Sequence, residues 1–157
     1  MKNSTLYSIF KTFFTIVLLI SVAAACSNSA SSEDDHDEDF DGFRLKMNGT
    51  TIVEQLPEQS LTGEIELAPG EETDLITVYF LNHDGDEFQP QDNEYSLGYE
   101  FDDEGIVEFE QHAEDGRWSF HLHAEAKGVT DMHIKVMHGG HDDFTSSGIH
   151  VHVEAAE

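Results

Sequence analysis

Beyond residue 42, apolar and polar residues alternate with a period of two along most of the chain. Phe43, Leu45 and Met47 interleave with Arg44 and Lys46. Asn48-Gly49 then accepts the positive backbone angles of a tight hairpin, which sets Ile52 opposite Leu45. The alternation recurs in Ile65-Glu66-Leu67 before a Pro69-Gly70 turn, and in Ile76, Val78 and Phe80 before an Asp84-Gly85 turn. Further strands are predicted over 95–101, 106–109, 118–126, 130–137 and 149–153. No segment of helical length in this part carries an apolar stripe of period 3.6. About eight or nine strands with regular turns predict an all-β sandwich or barrel.

Strand phase also assigns the histidines to faces. Eight of the ten lie between residues 112 and 152. Trp118, Phe120, Leu122 and Ala124 share the inward phase of their strand, so His121 and His123 point outward. The phase makes Trp118 a core anchor. Thr130, Met132, Ile134 and Val136 face inward and leave His133 outside; Ile149, Val151 and Val153 do the same for His150 and His152. Residues two apart on a strand sit about 6.6 Å apart on one side, close enough for two imidazoles to reach one ion. Antiparallel pairing of the last two long strands would set His133 opposite His150 or His152. His138 and His141, with Asp142 and Asp143, are expected in the glycine-hinged loop between those strands, where Met137 offers a sulfur to cuprous copper. Imidazole suits zinc, copper and nickel, while calcium and magnesium take oxygen. Exposed histidine is also an ordinary counterweight to neighbouring carboxylates, so incidental surface histidines are the competing reading.

The first 25 residues read differently. Lys2 and Lys11 precede an apolar stretch of about ten residues, and Ala23-Ala24-Ala25 supplies the small side chains of a leader cleavage site. The stretch is shorter than the roughly 20 residues of a membrane span. Cleavage there leaves 132 residues, in which five basic face 33 acidic residues, a formal charge of −28. Such a surface repels phosphate, which excludes nucleic acid and favours cations. Residues 26–41, small, polar and acidic, read as a tether, and 42–157 as the folded domain.

Two resemblances follow from these residues. Ala24-Ala25-Cys26 resembles a bacterial lipobox, although Ala23 stands where leucine is commonest. The resemblance implies acylation of Cys26, the only cysteine, and a lipid anchor in the bacterial cell envelope, on the periplasmic face of the outer membrane or at the cell surface. Ordinary secretion with the same cut is the alternative. The glycines and strands of Gly63-Glu-Ile-Glu-Leu-Ala-Pro-Gly, Gly105-Ile-Val-Glu-Phe, Gly128-Val-Thr-Asp-Met and Ile149-His-Val-His-Val resemble a bacterial immunoglobulin-like domain. That likeness implies an antiparallel sandwich over about residues 61–154, with the first hairpin as an extra element. It also places the strand of His121 and His123 in the opposite sheet from the last two strands. No nucleophile motif, phosphate loop or zinc-protease helix is present, which points away from an enzyme. The expected function is transition-metal binding by His133, His150 and His152, then His121 and His123, with His138 and His141 as loop donors. The alternative is a structural or adhesive surface module without metal.

Overall fold

The computed structural model describes residues 39–155. The leader, Cys26 and the tether through residue 38 lie outside the described residues. These form eleven strands: β1 (Gly42–Met47), β2 (Thr50–Gln55), β3 (Ile65–Leu67), β4 (Ile76–Leu81), β5 (Glu87–Phe88), β6 (Tyr95–Phe101), β7 (Val107–Glu110), β8 (Ser119–Ala124), β9 (Gly128–His138), β10 (His141–Thr145) and β11 (Ile149–Val153). One sheet runs β2-β1-β4-β8-β7, with β5 also on β4; the other runs β10-β9-β11-β3, with β6 on β9. Together they make an all-β sandwich. Phe43, Leu45, Val78, Phe80, Phe120 and Leu122 of the first sheet and Met132, Ile134, Val136, Ile149 and Val151 of the second are all 0% exposed. The inward phases read from the alternation are those that the core uses. β8 lies in the sheet opposite β9 and β11, which separates His121 and His123 from His133, His138, His150 and His152.

Four expectations change. The first hairpin is no appendage: β1 lies between β2 and β4 and pairs with β4 over its whole length, from Gly42↔Leu81 to Met47↔Ile76. Asn48 and Gly49 do form the turn, with φ of 53° and 76°. However, a bulge between Leu45 and Lys46 shifts the register, so Val53 rather than Ile52 opposes Leu45. The second sheet is mixed, because β11 runs parallel to β3 through Val151↔Ile65 and Val153↔Leu67. Residues 141–145, expected in a loop, form β10, and Glu87–Phe88 adds the short β5. Just before β1, Phe40 packs edge-on against Phe80, with ring centroids 5.2 Å apart.

The outer face of the first sheet carries its own ion network. Arg44 Nε donates to Glu54 at 2.9 Å and its Nη1 to Glu87 at 2.8 Å, while Lys46 donates to the other oxygen of Glu87 at 2.7 Å. Hydrogen bonds from Lys46 and then Arg44 hold the Glu87 carboxyl below the ordinary glutamate range. A depressed carboxylate stabilises the fold above its unfolded pKa, and that contribution is lost as pH falls through the folded value. Glu87→Gln is therefore expected to cost about 1 kcal/mol at pH 7. It should also flatten the loss of stability between pH 5 and 3 in urea titrations; an unchanged acid slope would remove Glu87 as its source.

Candidate metal centre

β9 hydrogen-bonds to β6 along one edge, and to β10 followed by β11 along the other: Val136 pairs with both Leu97 and Phe144, and Met132 with both Phe101 and Ile149. The chain reverses between β9 and β10 through Gly139 and Gly140 alone, at φ of 58° and 93°, the two positive values that a primed two-residue turn demands. A turn this short makes His138 and His141 the closing cross-strand pair. Their side chains therefore project from the same face, with ring centroids 6.0 Å apart.

A bulge brings in the third group. Asp142 opposes Met137 and Phe144 opposes Val136, so Asp143 is the extra residue on its strand. In a regular ladder Asp143 would occupy the place of Phe144; the inserted residue instead turns its carboxylate toward the histidine pair. Its Oδ2 lies 3.0 Å from Nδ1 of His138 and its Oδ1 3.3 Å from Nε2 of His141. Glu94, immediately before β6, adds Oε2 at 3.4 Å from Nε2 of His138. Tyr95, the cross-strand partner of His138, stacks on its ring at 4.4 Å and 29°, which fixes the ring plane. Partial burial opposes charge on His138, but the hydrogen bonds to Asp143 and Glu94 outweigh it and raise the imidazole above its ordinary value.

His138, His141 and Asp143 present ligand atoms within 4.8 Å of one another. Two nitrogens and a carboxylate form a recognised zinc donor set, and the same set suits copper and nickel. A second group within that distance is Glu108, His123 and Glu125, across β7 and β8. It offers one imidazole, whose Nδ1 meets Glu125 at 2.8 Å, and that hydrogen bond raises the His123 pKa.

The other histidines among the described residues lie in neither group. The register sets His150 opposite Asp131 and His152 opposite Val129, which corrects the expected pairing with His133. The cause is the tight Gly139-Gly140 turn: with His141 opposite His138, β10 and β11 run back along β9, and the one-residue shifts at Asp143 and at 146–148 bring His150 only to Asp131. Each of these rings instead has a carboxylate of its own. His150 lies 2.5 Å from Asp131, His152 3.4 Å from Glu64 and His133 3.4 Å from Asp102. On β8, Nδ1 of His121 donates to the Thr73 carbonyl at 2.9 Å, and its ring lies 5.9 Å from that of His112. Met137 opposes Ser96 and Asp142, out of phase with His138, so its sulfur is not part of the histidine pair. Sequence reasoning placed Asp143 beside the two histidines without setting it apart from Asp142, and it missed Glu94. The Gly-Gly turn flanked by histidines was the available signal for the pair; nothing in the sequence marks the bulge.

No protein-family model matches the sequence, and no curated protein is similar to it at a significant level. Among solved structures the fold is similar to the S-layer protein SbsC, domains 4 and 5. The TM-score is 0.41 and the identity 15%, over 68% of this chain and 57% of that one. A likeness of that size leaves the functional reading to the side chains.

Proposed function

We infer that the chain is a non-enzymatic, lipid-anchored module of the bacterial cell envelope that binds a transition-metal ion, with zinc, copper or nickel as the candidates. The anchor is the lipid on Cys26, and the site faces the periplasm or the cell exterior. His138, His141 and Asp143 are the ligands and Glu94 the neighbouring carboxylate. One observation carries this reading: a bulge turns a carboxylate onto the two imidazoles that close a two-residue hairpin.

Calorimetric titration of zinc and copper into the chain from Ser27 onward tests the site. Binding tighter than about 10 μM is expected, corresponding to roughly 7 kcal/mol. His138→Ala, His141→Ala and Asp143→Asn should each weaken it at least tenfold, whereas His150→Ala and His152→Ala should leave it unchanged. Weaker binding, or indifference to the first three changes, would leave the structural or adhesive module as the better reading.

The pH dependence of the titration is opposite in sign to that of the empty fold. A raised imidazole pKa stabilises the fold with the ring protonated, an effect full below about pH 6.5 and lost as pH rises through the folded value. A metal requires the ring deprotonated. Zinc affinity should therefore fall about tenfold or more between pH 8 and pH 6, with proton release on binding. A flat profile would argue against imidazole ligands. Labelling with an acyl-chain precursor tests the anchor, and label persisting in Cys26→Ala would refute it.

A further inference from the structure

On one flank the sandwich opens between β6 of the second sheet and β7 of the first, each of which pairs with a single neighbour among the described residues. Three rings are stacked across this opening. Phe120, fully buried, lies against Phe109 at 4.5 Å and 17°, and Phe109 lies against Tyr99 at 4.1 Å and 11°. Tyr99 ends the stack. Phe109 covers one face of its ring, yet the residue remains 48% exposed, one of two large apolar side chains left exposed among the described residues. Phe101 meets the Tyr99 ring at 5.6 Å and 58°, and the exposed part of Tyr99 borders a groove whose lining includes Phe101, Glu100, Glu104, Glu108 and Glu125 and no lysine, arginine or histidine among the described residues. Lys135 engages Glu100 at 2.6 Å and His123 engages Glu125 at 2.8 Å. No ion pair of Glu104 or Glu108 occurs among the described residues.

We propose that this flank is a docking groove for an extended, arginine-bearing peptide segment of a partner protein, with one guanidinium seated on the exposed part of the Tyr99 ring and held by Glu104 and Glu108. The chemistry is specific in three respects. A π-face attracts a cation, and a planar guanidinium stacks on it while its N–H groups stay in plane to reach carboxylates at the rim. Lysine, a compact and strongly hydrated ammonium, satisfies only the charge. The free edges of β6 and β7 offer backbone groups to an extended chain, the pairing by which peptides add to sheets. The flank is distinct from the hairpin of His138 and His141, so the proposal does not rest on metal binding.

Anisotropy of a fluorescent peptide carrying two arginines, titrated with the full chain in detergent at about 150 mM salt, tests it, because screening at that ionic strength suppresses diffuse attraction to an acidic surface. Saturable binding is expected, at least threefold tighter than for the same peptide with lysines. Tyr99→Ala should weaken binding about fivefold, equivalent to roughly 1 kcal/mol. Tyr99→Phe should retain it, and Glu104→Gln with Glu108→Gln should weaken it further. Since Tyr99 is half exposed, its replacement leaves the fold intact, which a parallel urea titration verifies. Equal binding of the lysine peptide, indifference to Tyr99→Ala, or absence of saturable binding would each overturn the proposal.

Discussion

Deleting residues 39–56 is expected to abolish folding, although the sequence presents that segment as an addition to the sandwich. The deletion removes Phe40, Phe43, Leu45 and Val53, of which Phe43 and Leu45 are 0% exposed and Val53 1%. At about 1.5–3 kcal/mol for each large apolar side chain, their burial is worth roughly as much as the 5–15 kcal/mol that holds a typical domain together. It also strips the ladder from one edge of β4, whose Ile-Thr-Val-Tyr-Phe-Leu would become an open apolar edge prone to pairing between molecules. Far-UV circular dichroism and gel filtration should report a disordered or aggregated chain. A monomer with a cooperative unfolding transition would show that β1 and β2 are dispensable.

The second large effect concerns Phe80. Its ring sits in the middle of an aromatic cluster, meeting Phe40 at 5.2 Å, Trp118 at 5.2 Å and Phe144 at 5.8 Å, each edge to face. These neighbours come from the entry segment, the approach to β8 and β10, so Phe80 ties together parts of the chain that no hydrogen-bond ladder connects directly. Phe80→Ala removes a buried ring and leaves a cavity, at a cost of about 3–5 kcal/mol. Each lost aromatic contact adds about 0.5–1.5 kcal/mol when the neighbours cannot close in. Trp118, the only tryptophan and an edge-on neighbour of Phe80, makes its fluorescence a direct reporter in urea titrations. Phe80→Leu should cost less than half as much. A loss below about 2 kcal/mol for the alanine variant would mean that the cluster collapses into the gap.

Alternation carried most of the fold. Where a strand has one buried face, as at Phe120-His121-Leu122-His123, the period of two names both the strand and the direction of each side chain, because a slip by one residue would put the apolar set in water. The same rule fails where charge interrupts it. His141-Asp142-Asp143 shows no apolar residue before Phe144, so β10 was invisible, although its Gly-Gly turn is a hairpin signal. Register was the other loss. The bulge at Leu45/Lys46 displaces pairing in a way that no residue type announces and redirects Ile52, while the tight turn at Gly139-Gly140 sets His150 opposite Asp131 and leaves His133 without its expected partner. The candidate site combines both failures. His138 and His141 were named as candidate donors, but their approach depends on the hidden strand and the carboxylate of Asp143 on a hidden bulge.

That bulge has a consequence on the timescale of descent. The site is assembled by a single surplus residue in an otherwise regular hairpin, so one in-frame codon deletion at position 143 would restore the ladder, keep Phe144 in the core and erase the carboxylate between the two imidazoles. The reverse event would create it. Sandwiches with and without this cluster of side chains can thus lie one small insertion or deletion apart.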